Sequence, residues 1–175
     1  MTVHELKLPG LLLFTPDVYG DDRGFFLETW NAARYREHGL NAGFVQDNVS
    51  YSTHGVLRGL HYQDPYPQGK LVMVLRGEIF DVAVDIREDA ATFGTWEGVT
   101  LSAENKRQLY VPPGFAHGFV VTGEEALVHY KCTDYYHPEA EGTIRWDDPT
   151  IGVDWPVETP TLSEKDAAGT RLYER

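Results

Sequence analysis

Lys70-Leu71-Val72-Met73-Val74-Leu75-Arg76-Gly77-Glu78-Ile79-Phe80-Asp81-Val82-Ala83-Val84-Asp85-Ile86 is the stretch from which the fold is read. An apolar run over residues 70–75 is followed by a run over 78–86 in which Phe80, Val82, Val84 and Ile86 alternate with Asp81, Ala83 and Asp85. A period of two sends successive side chains to opposite faces of a strand, so one face belongs to a core and the other is polar. Two such runs joined by Arg76-Gly77 predict a β-hairpin with a two-residue turn. Asp81 and Asp85 then line a cavity or meet water, and alternation allows both.

Outward from this pair, short strand patterns recur at residues 11–14, 24–29, 43–48, 56–62, 98–101, 106–111, 116–122 and 127–133. The 17 glycines and 10 prolines punctuate an aromatic-rich chain, which favours short β segments over long helices. So many short strands predict a sandwich or small barrel. One short helix is expected within residues 28–38, capped by Asn31 and ended by Gly39, and one helical turn near 163–167. With 175 residues, no linker and no repeat, residues 1–175 read as one domain.

The formal charge of -12, from 27 acidic and 15 basic residues, repels free nucleic acid at long range. A few convergent Arg and Lys side chains can still make a local pocket for an anion. Cys132 is the only cysteine, which excludes an intrachain disulfide and fits a reducing, cytoplasmic setting. Its apolar neighbours favour a packing role. The opening residues lack a basic run leading into a continuous apolar segment, so no secretory leader is expected, and the apolar runs are too short for a membrane helix.

Arg58-Gly59-Leu60-His61-Tyr62-Gln63 and Gln68-Gly69-Lys70 carry the first chemistry. A neutral imidazole at His61 can accept a proton from carbon near neutral pH, provided a partner sets its tautomer. Lys70, opening an apolar strand, can offset charge on a developing oxyanion. Asp166 can orient the imidazole, and Tyr130 can act as an opposing acid, because strand alternation sends either Tyr130 or Lys131 to a given face. Plainer roles stand beside these: a hydrogen-bonded structural histidine, a strand-edge lysine, a solvated carboxylate. Arg23 and Arg58 can grip phosphate oxygens or pair on the surface. Gln46 and Asn48 share strand parity and face either one ligand or solvent. Arg58 and His61 have opposite parity, so both reach one cavity only if the strand bulges near Gly59.

No glycine-rich stretch has the spacing of a dinucleotide fingerprint, and no nicotinamide or other cofactor is expected. Pro112-Pro113-Gly114-Phe115-Ala116-His117 resembles the second motif of the cupin superfamily. The first motif of a metal-binding cupin pairs two histidines with a carboxylate; here Gln63 stands at the paired position after His61 and no carboxylate follows at the expected spacing, so a metal-free cavity is expected.

Taken in order, Asp22-Arg23-Gly24-Phe25-Phe26-Leu27-Glu28, Phe44-Val45-Gln46-Asp47-Asn48, the segments around His61 and Lys70, Pro113-Gly114-Phe115-Ala116-His117-Gly118-Phe119, Tyr130-Lys131-Cys132-Thr133-Asp134-Tyr135-Tyr136 and Leu162-Ser163-Glu164-Lys165-Asp166 resemble the dTDP-4-dehydrorhamnose 3,5-epimerase family over nearly the whole chain. The resemblance implies an all-β, cupin-type antiparallel jelly-roll barrel with a few short helices. It also implies a homodimer in which an N-terminal strand reaches the neighbouring subunit. His61 becomes the base, oriented by Asp166, with Lys70 on the enolate oxygen and Tyr130 as the acid. Arg23, Glu28, Gln46, Asn48, Arg58 and Tyr136 match positions that bind or border the nucleotide-sugar, and Asp81 and His117 match an inner polar shell.

The implied substrate is dTDP-4-dehydro-6-deoxy-D-glucose, whose C4 carbonyl acidifies the hydrogens on C3 and C5. Removal and return of each proton through an enolate needs neither redox cofactor nor metal. Three neighbouring readings are a mono-epimerase, which would keep nearly all these residues, a 3,4-ketoisomerase on a related cupin, against which the Tyr130 motif favours inversion, and a sugar-binding cupin without catalysis.

Overall fold

The structure, a computed structural model, describes all of residues 1–175. Its strands are β1 (Thr2–Glu5), β2 (Leu12–Thr15), β3 (Val18–Asp21), β4 (Gly24–Leu27), β5 (Gln46–Thr53), β6 (Leu57–Gln63), β7 (Lys70–Asp85), β8 (Trp96–Ser102), β9 (Gln108–Val111), β10 (Phe115–Cys132) and β11 (Glu141–Thr143). The two short helices are α1 (Ala32–Glu37) and α2 (Glu164–Ala167). Asn31 caps α1, its side chain accepting the amides of Ala33 and Arg34. No helix is long and apolar enough to cross a membrane.

The hairpin expected at Arg76-Gly77 does not form. Residues 70–85 run as one strand, and residues 116–122 and 127–133 merge into β10, its antiparallel partner along nearly the whole length. Val74 pairs with Val128 and Arg76 with Leu127, so Leu75 is the extra residue of a bulge and stands exposed. At Gly77 the two backbones meet so closely that a Cβ would lie 1.7 Å from the Glu125 carbonyl oxygen, and φ is +79°. A glycine that reads as a turn signal is here a point of close approach.

The bulge shifts strand parity. Val72 and Val74 before it and Ile79 and Ala83 after it all enter one core cluster, together with Phe115, Phe119 and Val121 and then Ala126 and Val128 of β10. Val82 and Val84 point the other way, into a second cluster with Leu60, Ile144, Ile151 and Leu172 from the C-terminal segment. The face expected to be polar is therefore buried as well, and Asp81 and Asp85 are both inaccessible. Asp85 is held by Arg87 and Thr92.

β7 and β10 change neighbours along their length. The first part of β7 pairs with β9 and the second with β8, while β10 pairs first with β6 and then with β5. The path runs β1-β2-β9-β7-β10-β6-β11 from one free edge to the other. Barrel closure would require β1 and β11 to pair, and they do not. The fold is thus an open antiparallel sheet bent around the shared β7/β10 pair, which corrects the expected closed jelly-roll barrel; the all-β character with short helices stands. The β3–β4 hairpin forms a separate two-stranded sheet.

Candidate active site

The bend leaves a cavity of about 360 Å³ between β5, β6, the start of β7 and β10. Strand β6 reaches it through a bulge. His61 pairs with His117 and Arg58 with Phe119, which leaves Gly59 and Leu60 opposite Gly118 alone. Gly59 sits at φ +119°, where an added Cβ would meet the His117 carbonyl oxygen at 2.6 Å and Gly118 Cα at 2.7 Å. Only glycine permits this contact, and the extra residue brings both Arg58 and His61 to the cavity while Leu60 turns into the second core cluster.

His61 Nε2 lies 2.5 Å from Oδ1 of Asp166, contributed by α2 from 105 residues away. Burial pushes the Asp166 carboxyl up, but hydrogen bonds from His61, Ser163 and the Gly59 amide outweigh it and hold the group below its ordinary value. Lys70 opens β7 inside the cavity and makes no salt bridge or hydrogen bond through its ammonium. Burial pulls its pKa down, with Cys132, Glu141 and Asp81 working against that shift. Tyr130 enters the same cavity, and no side chain accepts its hydroxyl; burial raises its pKa. Lys131 takes the opposite face and pairs with Asp47 at 2.7 Å, as alternation requires.

Gln46 and Asn48 both line the cavity and are joined by a 3.1 Å hydrogen bond. Arg58 donates to Ser52 Oγ and the Tyr51 carbonyl. Tyr136 stands at the rim, donating its hydroxyl to Glu141 at 3.0 Å. His117 lines the floor, 2.8 Å from Asp81 Oδ1, while Asp81 Oδ2 is buried without a partner. Cys132, packed beneath, receives a long hydrogen bond from Asn48 at 3.6 Å, and burial pushes its thiol up.

Two expected residues lie elsewhere. Arg23 caps the exposed β3–β4 hairpin and pairs with Asp21. Glu28 pairs with Arg34 at 2.9 Å beside α1. Neither lines this cavity. Conversely, Glu141 and Lys165 form a 2.8 Å salt bridge on the cavity wall that sequence reasoning did not assign. Glu141 lies in a three-residue strand too short to show alternation, and Lys165 lies in a four-residue helix too short to define a face. Gln63, which in sequence is only the position where a metal-binding cupin has its second histidine, ties the Tyr66 and Tyr135 carbonyls and the His137 amide through its side-chain amide.

An imidazole held by a carboxylate, with an unpaired ammonium and a free phenol on other strands of one cavity, is equipment for moving protons on carbon. The family model described as dTDP-4-dehydrorhamnose 3,5-epimerase matches residues 5–174. A dTDP-4-dehydrorhamnose 3,5-epimerase of Methanothermobacter thermautotrophicus is 56% identical over 163 residues, 91% of this chain and 88% of that protein. One from Shigella flexneri is 53% identical, covering 99% of this chain and 97% of its own length. The crystal structure of dTDP-6-deoxy-D-glucose-3,5-epimerase from Legionella pneumophila, in complex with dTDP-4-keto-L-rhamnose, superposes with a TM-score of 0.96 at 55% identity, covering 98% of this chain and 93% of that one. The chain belongs to the dTDP-4-dehydrorhamnose 3,5-epimerase family.

Proposed function

We propose that the cavity converts dTDP-4-dehydro-6-deoxy-D-glucose to dTDP-4-dehydro-L-rhamnose by inverting C3 and C5. The C4 carbonyl makes both neighbouring carbons acidic. His61 takes the proton through the ring nitrogen not committed to Asp166, Lys70 offsets the charge on the enolate oxygen, and Tyr130 returns a proton to the opposite face. The observation that carries this reading is the 2.5 Å pairing of His61 with Asp166 in the cavity that Lys70 and Tyr130 also line. Gln46, Asn48, Arg58 and Tyr136 serve the nucleotide and its phosphates, and Asp81 and His117 form the polar floor. No cofactor takes part, since the substrate's own carbonyl is the electron sink. Activity is expected to survive exhaustive chelation.

Residues 1–175 act as one nucleotide-sugar epimerase domain in this reading, working in the cytoplasm as a homodimer and engaging neither nucleic acid nor membrane. Support for the dimer comes from the β3–β4 hairpin, which stands off the main sheet with Phe25 62% and Phe26 67% exposed beside Arg23. A second copy receiving this hairpin would bury both rings. Light scattering should report a dimer, with Phe25→Asp and Phe26→Asp shifting it to monomer.

The reaction itself is tested by incubating the substrate in heavy water and locating deuterium in the product by NMR. Label at both C3 and C5 supports double epimerisation. Label confined to one carbon would reassign the protein as a mono-epimerase, and no label at either would reject proton transfer.

A further inference from the structure

Asp166 offers two carboxylate oxygens, and they are held differently. Oδ1 faces His61 at 2.5 Å and the Gly59 amide at 3.4 Å, whereas Oδ2 accepts the hydroxyl of Ser163 at 2.7 Å. Ser163 is also the N-cap of α2, and its Oγ accepts the Asp166 backbone amide at 3.1 Å. A hydroxyl has one proton and two lone pairs. Capping the helix uses a lone pair only; the proton given to Oδ2 is additional to that task.

We propose that Ser163 is a positioning residue for the epimerisation: its hydroxyl proton pins Oδ2 of Asp166, which keeps Oδ1 on His61. The inference rests on His61 and Asp166 being the base and its orienting carboxylate. A carboxylate attached to its backbone through two rotatable bonds can swing away from an imidazole. Here one residue grips both its main chain and its side chain. With Asp166 only 3% exposed, water has little access to replace the lost donor. The plane of the carboxylate, and with it the tautomer of His61, is thus set mainly from α2, with the longer Gly59 contact from the histidine's own strand beside it.

The two jobs of Ser163 separate by substitution. Ser163→Thr keeps the cap and the proton. Ser163→Gly keeps an acceptable cap without a hydroxyl, and Ser163→Asp keeps a good cap that cannot donate. The measurements are kcat, KM and heavy-water exchange at C3 and C5, beside Asp166→Asn. Threonine should remain near the parent rate, while glycine and aspartate lose about 10- to 100-fold in kcat at unchanged KM, the scale known for outer partners of metal-bound histidines applied to a catalytic imidazole. Wild-type kcat in the folded Gly or Asp variant overturns the proposal, as does equal loss in Thr and Gly. If the glycine variant does not fold, Ser163→Thr against Ser163→Ala decides, because aspartate also sets a second carboxylate against Oδ2. Full activity in Asp166→Asn would instead reject Asp166 as the orienting carboxylate on which the inference rests.

Discussion

His117 on β10 is the direct cross-strand partner of His61 on β6, yet the two imidazoles are held by different carboxylates, Asp81 at 2.8 Å and Asp166 at 2.5 Å. Asp81 comes from within β7 and Asp166 from a helical turn near the C-terminus. The cavity therefore holds two oriented histidines side by side. They differ in access, since the His61 side chain is 26% exposed and that of His117 is 10%. In the proposed reaction the more open imidazole meets the substrate carbon, and the deeper one holds a hydroxyl in place.

This difference predicts unequal effects of removing each imidazole. His61→Asn should nearly abolish both epimerisation and exchange of the C3 and C5 hydrogens, by about 10²- to 10⁴-fold, the usual worth of a general base. His117→Asn should mainly raise KM. Exchange at the wild-type rate in a substrate-binding His61 variant would show that another group is the base.

Tyr130→Phe removes the proposed donor and leaves His61 and Lys70 in place. Net inversion should fall much further than washout of substrate hydrogen on the base face, because abstraction and return at His61 need no phenol. Parallel loss of both in a variant with normal substrate binding would place Tyr130 in binding or packing instead.

The pH profile should carry the mark of Lys70. Its ammonium is the form that offsets enolate charge, so the rate is full below its pKa and falls as pH rises through it. Burial lowers that pKa from 10.5, which moves the alkaline limb of kcat/KM toward neutrality, whereas burial raises the pKa of Tyr130 from 10.0. Lys70→Arg keeps its charge throughout and should lose this limb, at a reduced rate because a planar guanidinium does not replace a point ammonium. An unchanged alkaline limb in the arginine variant would reject Lys70 as its source.

Gly59→Ala should destabilise the protein by about 1–3 kcal/mol, the usual cost of forcing atoms into a filled space. The obstructing atoms are backbone of His117 and Gly118 and cannot rotate away. Urea unfolding measures the loss, and kcat should fall with it because the bulge presents His61. An unaltered midpoint would mean that the two strands do not approach as described.

Much of this architecture is legible locally. The capping of α1 by Asn31, the strand character of residues 70–86 and the opposite destinations of Tyr130 and Lys131 follow from short-range sterics and a period of two, which neighbouring residues carry among themselves. So does the requirement for a bulge at Gly59, since two polar side chains of opposite parity cannot otherwise share a cavity. The resemblance across the chain brought His61, Lys70, Tyr130 and Asp166 together as a set, where spacing alone left each with an ordinary alternative.

Other features depend on contacts between distant segments. Gly77 is a turn signal in isolation and a crossing point in the fold, because the Glu125 carbonyl that occupies its missing Cβ position lies 48 positions away in sequence. The parity of Asp81, whether the sheet closes, and the removal of Arg23 and Glu28 from the cavity all depend on which strands pair, a choice made by packing over the whole molecule. Local pattern specifies what a residue can do along its own strand. Which aspartate reaches which histidine is settled by burial and hydrogen bonding once β6, β7, β10 and α2 are assembled, since neither carboxylate is near its imidazole until the chain has folded.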